Sequence, residues 1–186
     1  MTSAQIATPA NASPGERPTT VHLIDLENHV FATDHKATVR DVANWWEFYC
    51  NEALGIGPND VVFLGVSVKN LWMKKAIPWR KNLFWVVGHA GPNGADQAIL
   101  ASVYPPHAAL TYRRAVVVSG DGAFINFAVR AKQAGMIVQV VAVEGNLHPN
   151  LAKAASIRTT IRRTSRRQKE INTSRLEAVH AASFAA

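Results

Sequence analysis

Five short apolar runs punctuate the chain, and each reads as a β-strand: Val21 to Asp25, Val61 to Val66, Leu83 to Val87, Ala115 to Ser119 and Ile137 to Val143. Their apolar character is mostly continuous rather than alternating, as expected of strands covered on both faces, so the sheet is predicted to be parallel. Between the runs the period changes. From Asp41 to Leu54 the apolar positions Val42, Trp45, Trp46, Tyr49 and Ala53 follow the spacing of an amphipathic helix. A less regular segment, Asn70 to Trp79, can be helical only as far as about Ile77, because Pro78 disfavours the helical conformation of the residue before it. A third helix is expected from Ala95 to Val103, stopped by Pro105 and Pro106, and a fourth from Gly122 to Ala134, with Gly135 as its stop. Strands alternating with helices predict an α/β fold, a three-layer α/β/α sandwich around a central parallel five-stranded sheet.

Composition sets the frame for this pattern. With 186 residues, a hydrophobic fraction of 48% and a charged fraction of 18%, the chain is expected to form one globular domain with a substantial core. No apolar stretch approaches the roughly 18 residues of a membrane span. Residues 1–20 read as a flexible leader rich in Ala, Pro, Ser and Thr, without the basic start and apolar core of a signal peptide. The single Cys50 has no disulfide or zinc partner and suits a reducing, cytoplasmic compartment. It sits on the aromatic helix as a small core residue.

Charge is unevenly spread. From Leu151 onward eight basic residues face two acidic ones, so +6 of the total +7 lies in the last part of the chain. The boundaries this implies are a leader at 1–20, a domain at 21–157 and a basic tail at 158–186, helical or disordered, in which Arg162, Arg163, Arg166 and Arg167 are candidate phosphate contacts. Within the body, Lys74, Lys75, Arg80 and Lys81 form the one basic cluster.

Three acids interrupt this pattern where chemistry is expected. Asp25 ends the first apolar run, Asp121 follows the fourth, and Asp96 falls in the first turn of a predicted helix after a Gly/Asn turn. In open α/β sheets ligands bind beyond the carboxyl ends of the strands, so acids there face a common crevice if their strands are neighbours. Asp121 can also be read as a helix cap, and Asp96 as a partner of a helix dipole. Asp25 has no helix evident beside it. Clustered carboxylates repel and raise one another's pKa, a divalent cation relieves that repulsion, and hard oxygen ligands favour Mg²⁺ or Mn²⁺. Phosphodiester hydrolysis fits both the acidic centre and the basic periphery.

The motifs DLEN (Asp25 to Asn28), NGADQAIL (Asn93 to Leu100) and VVVSGDGAF (Val116 to Phe124) together resemble the NYN family of PIN-like ribonuclease domains, over roughly Val21 to Ile157. The resemblance implies strand order 3-2-1-4-5, which makes the first and fourth strands neighbours. It also implies a metal-dependent ribonuclease with Mg²⁺ or Mn²⁺ held by Asp25, Asp96 and Asp121, and single-stranded RNA as substrate. Asn28 would position water or substrate, Ser119 would contact phosphate or metal-bound water, and a homodimer is in keeping with related domains. One departure is Ala123, where the family usually carries a second acid; Glu27 is the residue placed to compensate. The alternative reading is a catalytically weakened PIN-like protein that binds RNA or serves as a scaffold. Haloacid-dehalogenase-type phosphatases also place acids at these strand ends, but need an Asp where this chain has Glu27, and the GxGxxG spacing of a dinucleotide site is absent. His29 and His89 lie near strand ends within reach of the site, whereas His22, inside a strand, reads as structural.

Overall fold

The computed structural model describes residues 20–33, 37–53 and 55–161. Six strands form one all-parallel sheet: β1 (Thr20–Asp25), β2 (Val61–Ser67), β3 (Leu83–Gly88), β4 (Arg114–Val118), β5 (Ile137–Val143) and β6 (Ile157–Ile161), in the order β3-β2-β1-β4-β5-β6. The helices are α1 (Leu26–Thr33), α2 (Val39–Phe48), α3 (Gly94–Ser102), α4 (Pro105–Thr111), α5 (Ile125–Gln133) and α6 (Pro149–Ala154). Among the described residues no helix is long and apolar enough to cross a membrane.

Alternation along β1 shows how the layers form. Val21 and Leu23 point into a core with Ile99, Val117, Phe127 and Leu151 from the α3–α6 side. Ile24 points the other way, into a core with Leu26, Val42, Trp46, Tyr49 and Met73. Both faces are therefore apolar, which explains the continuous runs. Full burial of each such Val or Leu contributes about 1.5–3 kcal/mol. The polar interruption, His22, lies on the second face and is satisfied there: its Nδ1 is 2.8 Å from the Tyr49 hydroxyl and its Nε2 is 3.5 Å from Asp60.

The structure departs from the sequence-based picture at five places. The sheet has six strands, not five, because Ile157–Ile161 adds to β5; the segment expected to open a helical or disordered tail at residue 158 is an edge strand. Thr20, assigned to the leader, is a buried member of β1. Helix α1 starts directly after Asp25, where no helix was expected. Pro105 and Pro106 not only follow α3 but occupy the first turn of α4, where a missing N–H costs nothing. The aromatic helix is α-helical only to Phe48 and continues as a π-turn, Tyr49–Ala53, with Val42, Trp46, Tyr49 and Cys50 buried. The remainder of the tail, including Arg162, Arg163, Arg166 and Arg167, lies outside the described residues.

Strand order places the topological switch between β1 and β4. The chain builds outward through β2 and β3, then returns through α3, which lies across β3, β2 and β1 on its way to the β4 side. Crossovers leaving in opposite directions open a crevice beyond the carboxyl ends of β1 and β4.

Candidate functional site

Asp25 is the last residue of β1 and is buried, and the parallel register sets Ile24 beside Val118 so that Ser119 follows next to Asp25. The two oxygens of Asp25 do different things. Oδ1 accepts from the Asn28 amide at 3.1 Å, capping the first turn of α1, while Oδ2 faces the Ser119 hydroxyl at 3.5 Å. The capping role read from sequence for other acids thus also belongs to Asp25, and it leaves the second oxygen turned towards the crevice. Asn28 ties the elements together, its Oδ1 accepting from the Gly120 amide at 3.5 Å.

Asp121 caps as expected: Oδ1 accepts from the Ala123 amide at 2.8 Å. The Ser119 hydroxyl accepts from the Asp121 amide at 3.1 Å, so Ser119 both shapes its own turn and faces Asp25. Gly120 is needed for a close approach, since a Cβ there would lie 2.2 Å from the Asn146 carbonyl oxygen.

Asp96 arrives on the first turn of α3. Its loop is packed against the end of β3 by paired glycines: a Cβ on Gly88 would lie 1.8 Å from the Gly94 carbonyl oxygen, and one on Gly94 would lie 2.2 Å from that of His89. Asn93 adopts a left-handed conformation, φ 58°, to make the turn. Asp96 is buried, and its Oδ1 has no hydrogen-bond partner among the described residues.

These three elements bring Asp25 and Asp96 within hydrogen-bonding reach of each other. As carboxylates both are acceptors only, so the contact is repulsive until a proton or a cation joins them. Burial, then the charge and hydrogen bond of Asp96, with a further contribution from Glu27, hold the Asp25 carboxyl well above its ordinary range; the Asn28 amide alone opposes this. Burial also raises Asp96. A hydrogen bond from Asp25 works against it, while Asp121 and Glu27 add repulsion. Asp121 and Glu27 are close enough to act on the pair electrostatically. Glu27 does not point to solvent, because its Oε1 accepts from the Ser67 amide at the end of β2.

The donor chemistry fits a hard divalent cation: two buried carboxyl groups in contact, one unpartnered oxygen, and two further acids acting on them. Among the described residues, however, no three His, Cys, Asp or Glu side chains converge into a ready ligand shell. The contact is a pair, with Asp121 facing it at longer range.

Other candidates lie elsewhere. His29 is fully buried against Trp45, donating from Nε2 to the Val141 carbonyl at 3.1 Å, so it belongs to the packing of α1 on β5 rather than to the acids. His89 is exposed and pairs with Gln97, 3.2 Å away, on the α3 loop. Arg80 and Lys81 precede β3 and so lie at the amino ends of the strands, opposite the acids, while Lys74 and Lys75 close a 3-10 segment (Val68–Ala76) that leaves the end of β2. The body's basic cluster is thus not gathered over the acidic pair.

Sequence reasoning missed the glycine packing that holds Asp96 in place and the Ser67 amide that anchors Glu27. A glycine ending an apolar strand just before NGAD was the available signal for the first.

No family model matches the chain, and no curated protein matches it. Among solved structures the chain is similar to a protein of unknown function from Vibrio parahaemolyticus, with 15% identity over 81% of this chain and 96% of that one, and a TM-score of 0.46.

Proposed function

We propose that the protein is a PIN-like, NYN-type ribonuclease that hydrolyses RNA phosphodiester bonds with the help of Mg²⁺ or Mn²⁺. The observation that carries this reading is the buried Asp25–Asp96 contact at the switch point of a parallel sheet, with Asp96 Oδ1 unpartnered. A buried acidic pair is destabilising by itself, and such clusters occur where a cation or a proton transfer is needed. Asp25, Asp96 and Asp121 would hold the metal. When bound there, it would supply Lewis-acid activation of water and charge neutralisation at the phosphodiester. The chain's own groups do the rest. Asn28, fixed to the Gly120 amide, orients the β4 turn against α1, and the Ser119 hydroxyl is set beside Asp25 to meet a phosphate oxygen or a water. Glu27, braced on Ser67, adds negative charge where the family's second acid is replaced by Ala123.

Cleavage of a labelled single-stranded RNA in Mn²⁺, Mg²⁺ or EDTA tests this, comparing wild type with a folded Asp25→Asn, Asp121→Asn double variant. Metal-dependent cutting that vanishes in the variant supports it. Equal inertness of both proteins over several RNAs, with no metal-induced rise in thermal stability, would leave the RNA-binding or scaffold reading in its place.

A further inference from the structure

Between Asp60 and Asp96 the chain contains no acidic residue, yet it carries five cations (Lys69, Lys74, Lys75, Arg80, Lys81) and three tryptophans (Trp72, Trp79, Trp85). All five cations are exposed, and among the described residues none is paired with a carboxylate. Two are instead propped on indole faces. Lys74 Nζ lies 5.6 Å from the centre of the Trp85 ring, and the Arg80 guanidinium lies 6.0 Å from that of Trp46. A cation held this way keeps its N–H donors for an outside acceptor.

Trp79 stands apart. Its neighbours Met73 and Ile77 are buried and anchor the segment, and Trp72 is tethered through Nε1 to Asn70 at 3.3 Å. Trp79 is 83% exposed and stacks on no other ring among the described residues. An indole left in solvent and flanked on its C-terminal side by Arg80 and Lys81 suits a planar, polyanionic ligand, whereas an apolar protein partner would have to desolvate every one of those charges.

The path of the segment adds direction. It leaves the carboxyl end of β2 at Ser67, whose amide holds Glu27 of the acidic centre, and returns to the amino end of β3 at Leu83. Parallel strands oblige it to run the length of the sheet, roughly 20 Å at about 3.3 Å per residue. Lys69 therefore lies near the acids and Arg80 far from them.

We propose that this acid-free connection is a track for single-stranded RNA, leading from the acidic centre along the segment that packs on α2 and on the face of β2 to a base-stacking stop at Trp79. Lys69, Lys74, Lys75, Arg80 and Lys81 take successive phosphates, and a base several nucleotides from the acids lies on the Trp79 indole. The choice of RNA as occupant rests on the ribonuclease reading; the track itself does not require catalysis.

The test is binding of a fluorescein-labelled, unstructured RNA of about a dozen nucleotides, within the range of known single-strand sites, to the full chain in EDTA over a series of salt concentrations. Trp79 is exposed enough that its replacement leaves the core untouched. Trp79→Ala should weaken binding about five- to 150-fold, the range for loss of one stacked base, while Trp79→Phe should recover much of it. Lys75→Ala with Lys81→Ala should flatten the salt dependence by about 1.4 in log–log slope, near 0.7 for each phosphate released. Unchanged affinity in Trp79→Ala together with an unchanged slope in the lysine variant would overturn the track. The two readings fail separately: Trp79-dependent binding without metal-dependent cutting leaves the track standing and removes the nuclease, and normal cutting with no effect of these variants does the reverse.

Discussion

Protonation of His29 should set the acid limit of the fold. The ring is fully buried, donates from Nε2 to the Val141 carbonyl, and has no partner for Nδ1. Burial therefore pushes its pKa down to about 4, and the Val141 carbonyl only partly opposes the shift. In the unfolded chain the same imidazole titrates near 6.5, so the unfolded state binds more protons between these values. The stabilisation is fully present above about pH 6.5 and is lost progressively as pH falls towards 4. From pH 7.5 to pH 5 the loss is about 2 kcal/mol, approaching about 3 kcal/mol at pH 4. For a chain of this size that corresponds to a fall in Tm of about 4–8 °C at pH 5.

The Asp25–Asp96 pair works in the opposite sense. Its folded-state pKa values are raised, so it favours the fold at low pH and opposes it as pH rises through them. A raw pH profile would mix the two, and the comparison must be between wild type and His29→Gln, which keeps a neutral donor and cannot titrate. Urea unfolding of both proteins at a series of pH values, in EDTA, isolates the difference. Between pH 7.5 and pH 5 wild type should lose about 2 kcal/mol relative to the variant, so that any advantage it holds at pH 7.5 shrinks by that amount. Curves that stay parallel across this range would refute the assignment of a neutral, buried His29.

Four further outcomes follow from the site. Asp25→Asn removes the charge repulsion inside the pair, so the metal-free protein should melt higher than wild type near neutral pH; on the proposed reading Mn²⁺ at a hundred times Kd should stabilise wild type by about 2.7 kcal/mol and the variant not at all, as read by calorimetry. Gly88→Ala drives a Cβ to 1.8 Å from the Gly94 carbonyl and must displace the turn that carries Asp96, so it should cost about 1–3 kcal/mol in urea unfolding and abolish the Mn²⁺-induced shift. Ala123→Asp adds a carboxylate beside the Asp121 cap and, on the proposed metal-site reading, should tighten Mn²⁺ binding about tenfold, ~1.4 kcal/mol, by titration calorimetry; weaker binding would mean that the position points away from the cation. Thr38→Ala dismantles the capping box with Asp41 at the start of α2, and should lower stability by about 1 kcal/mol while leaving cleavage and metal binding as in wild type.

The parts of this molecule that could be read from sequence are those where one physical demand dominates. Strands β1, β2, β4 and β5 are covered on both faces, so their residues are apolar almost without interruption and announce themselves. The acids stood out for the converse reason: Asp25 is buried at the end of such a run and Asp96 in the first turn of α3, and buried carboxylates are rare unless something pairs with them. Helix α1 escaped notice because two demands overlap in LENHVFAT. Leu26 and Val30 face the core, but His29 is buried beside them and Glu27 reaches back to Ser67, which blurs the apolar stripe. The edge strand β6 was hidden by its exposure: Arg158 and Thr160 face solvent with Thr159 half-buried between them, and charge drew attention where the β-branched residues Ile157, Thr159, Thr160 and Ile161 were the better guide. The connection after β2 shows the same effect at a larger scale. A kink at Asn70 breaks its helical period, so Met73 and Ile77 are the only positions that obey a core pattern. Around them stand six exposed residues, Lys69, Lys74, Lys75, Trp79, Arg80 and Lys81, that carry positive charge or an indole; none is buried by the fold, and a requirement from outside the fold is best sought there.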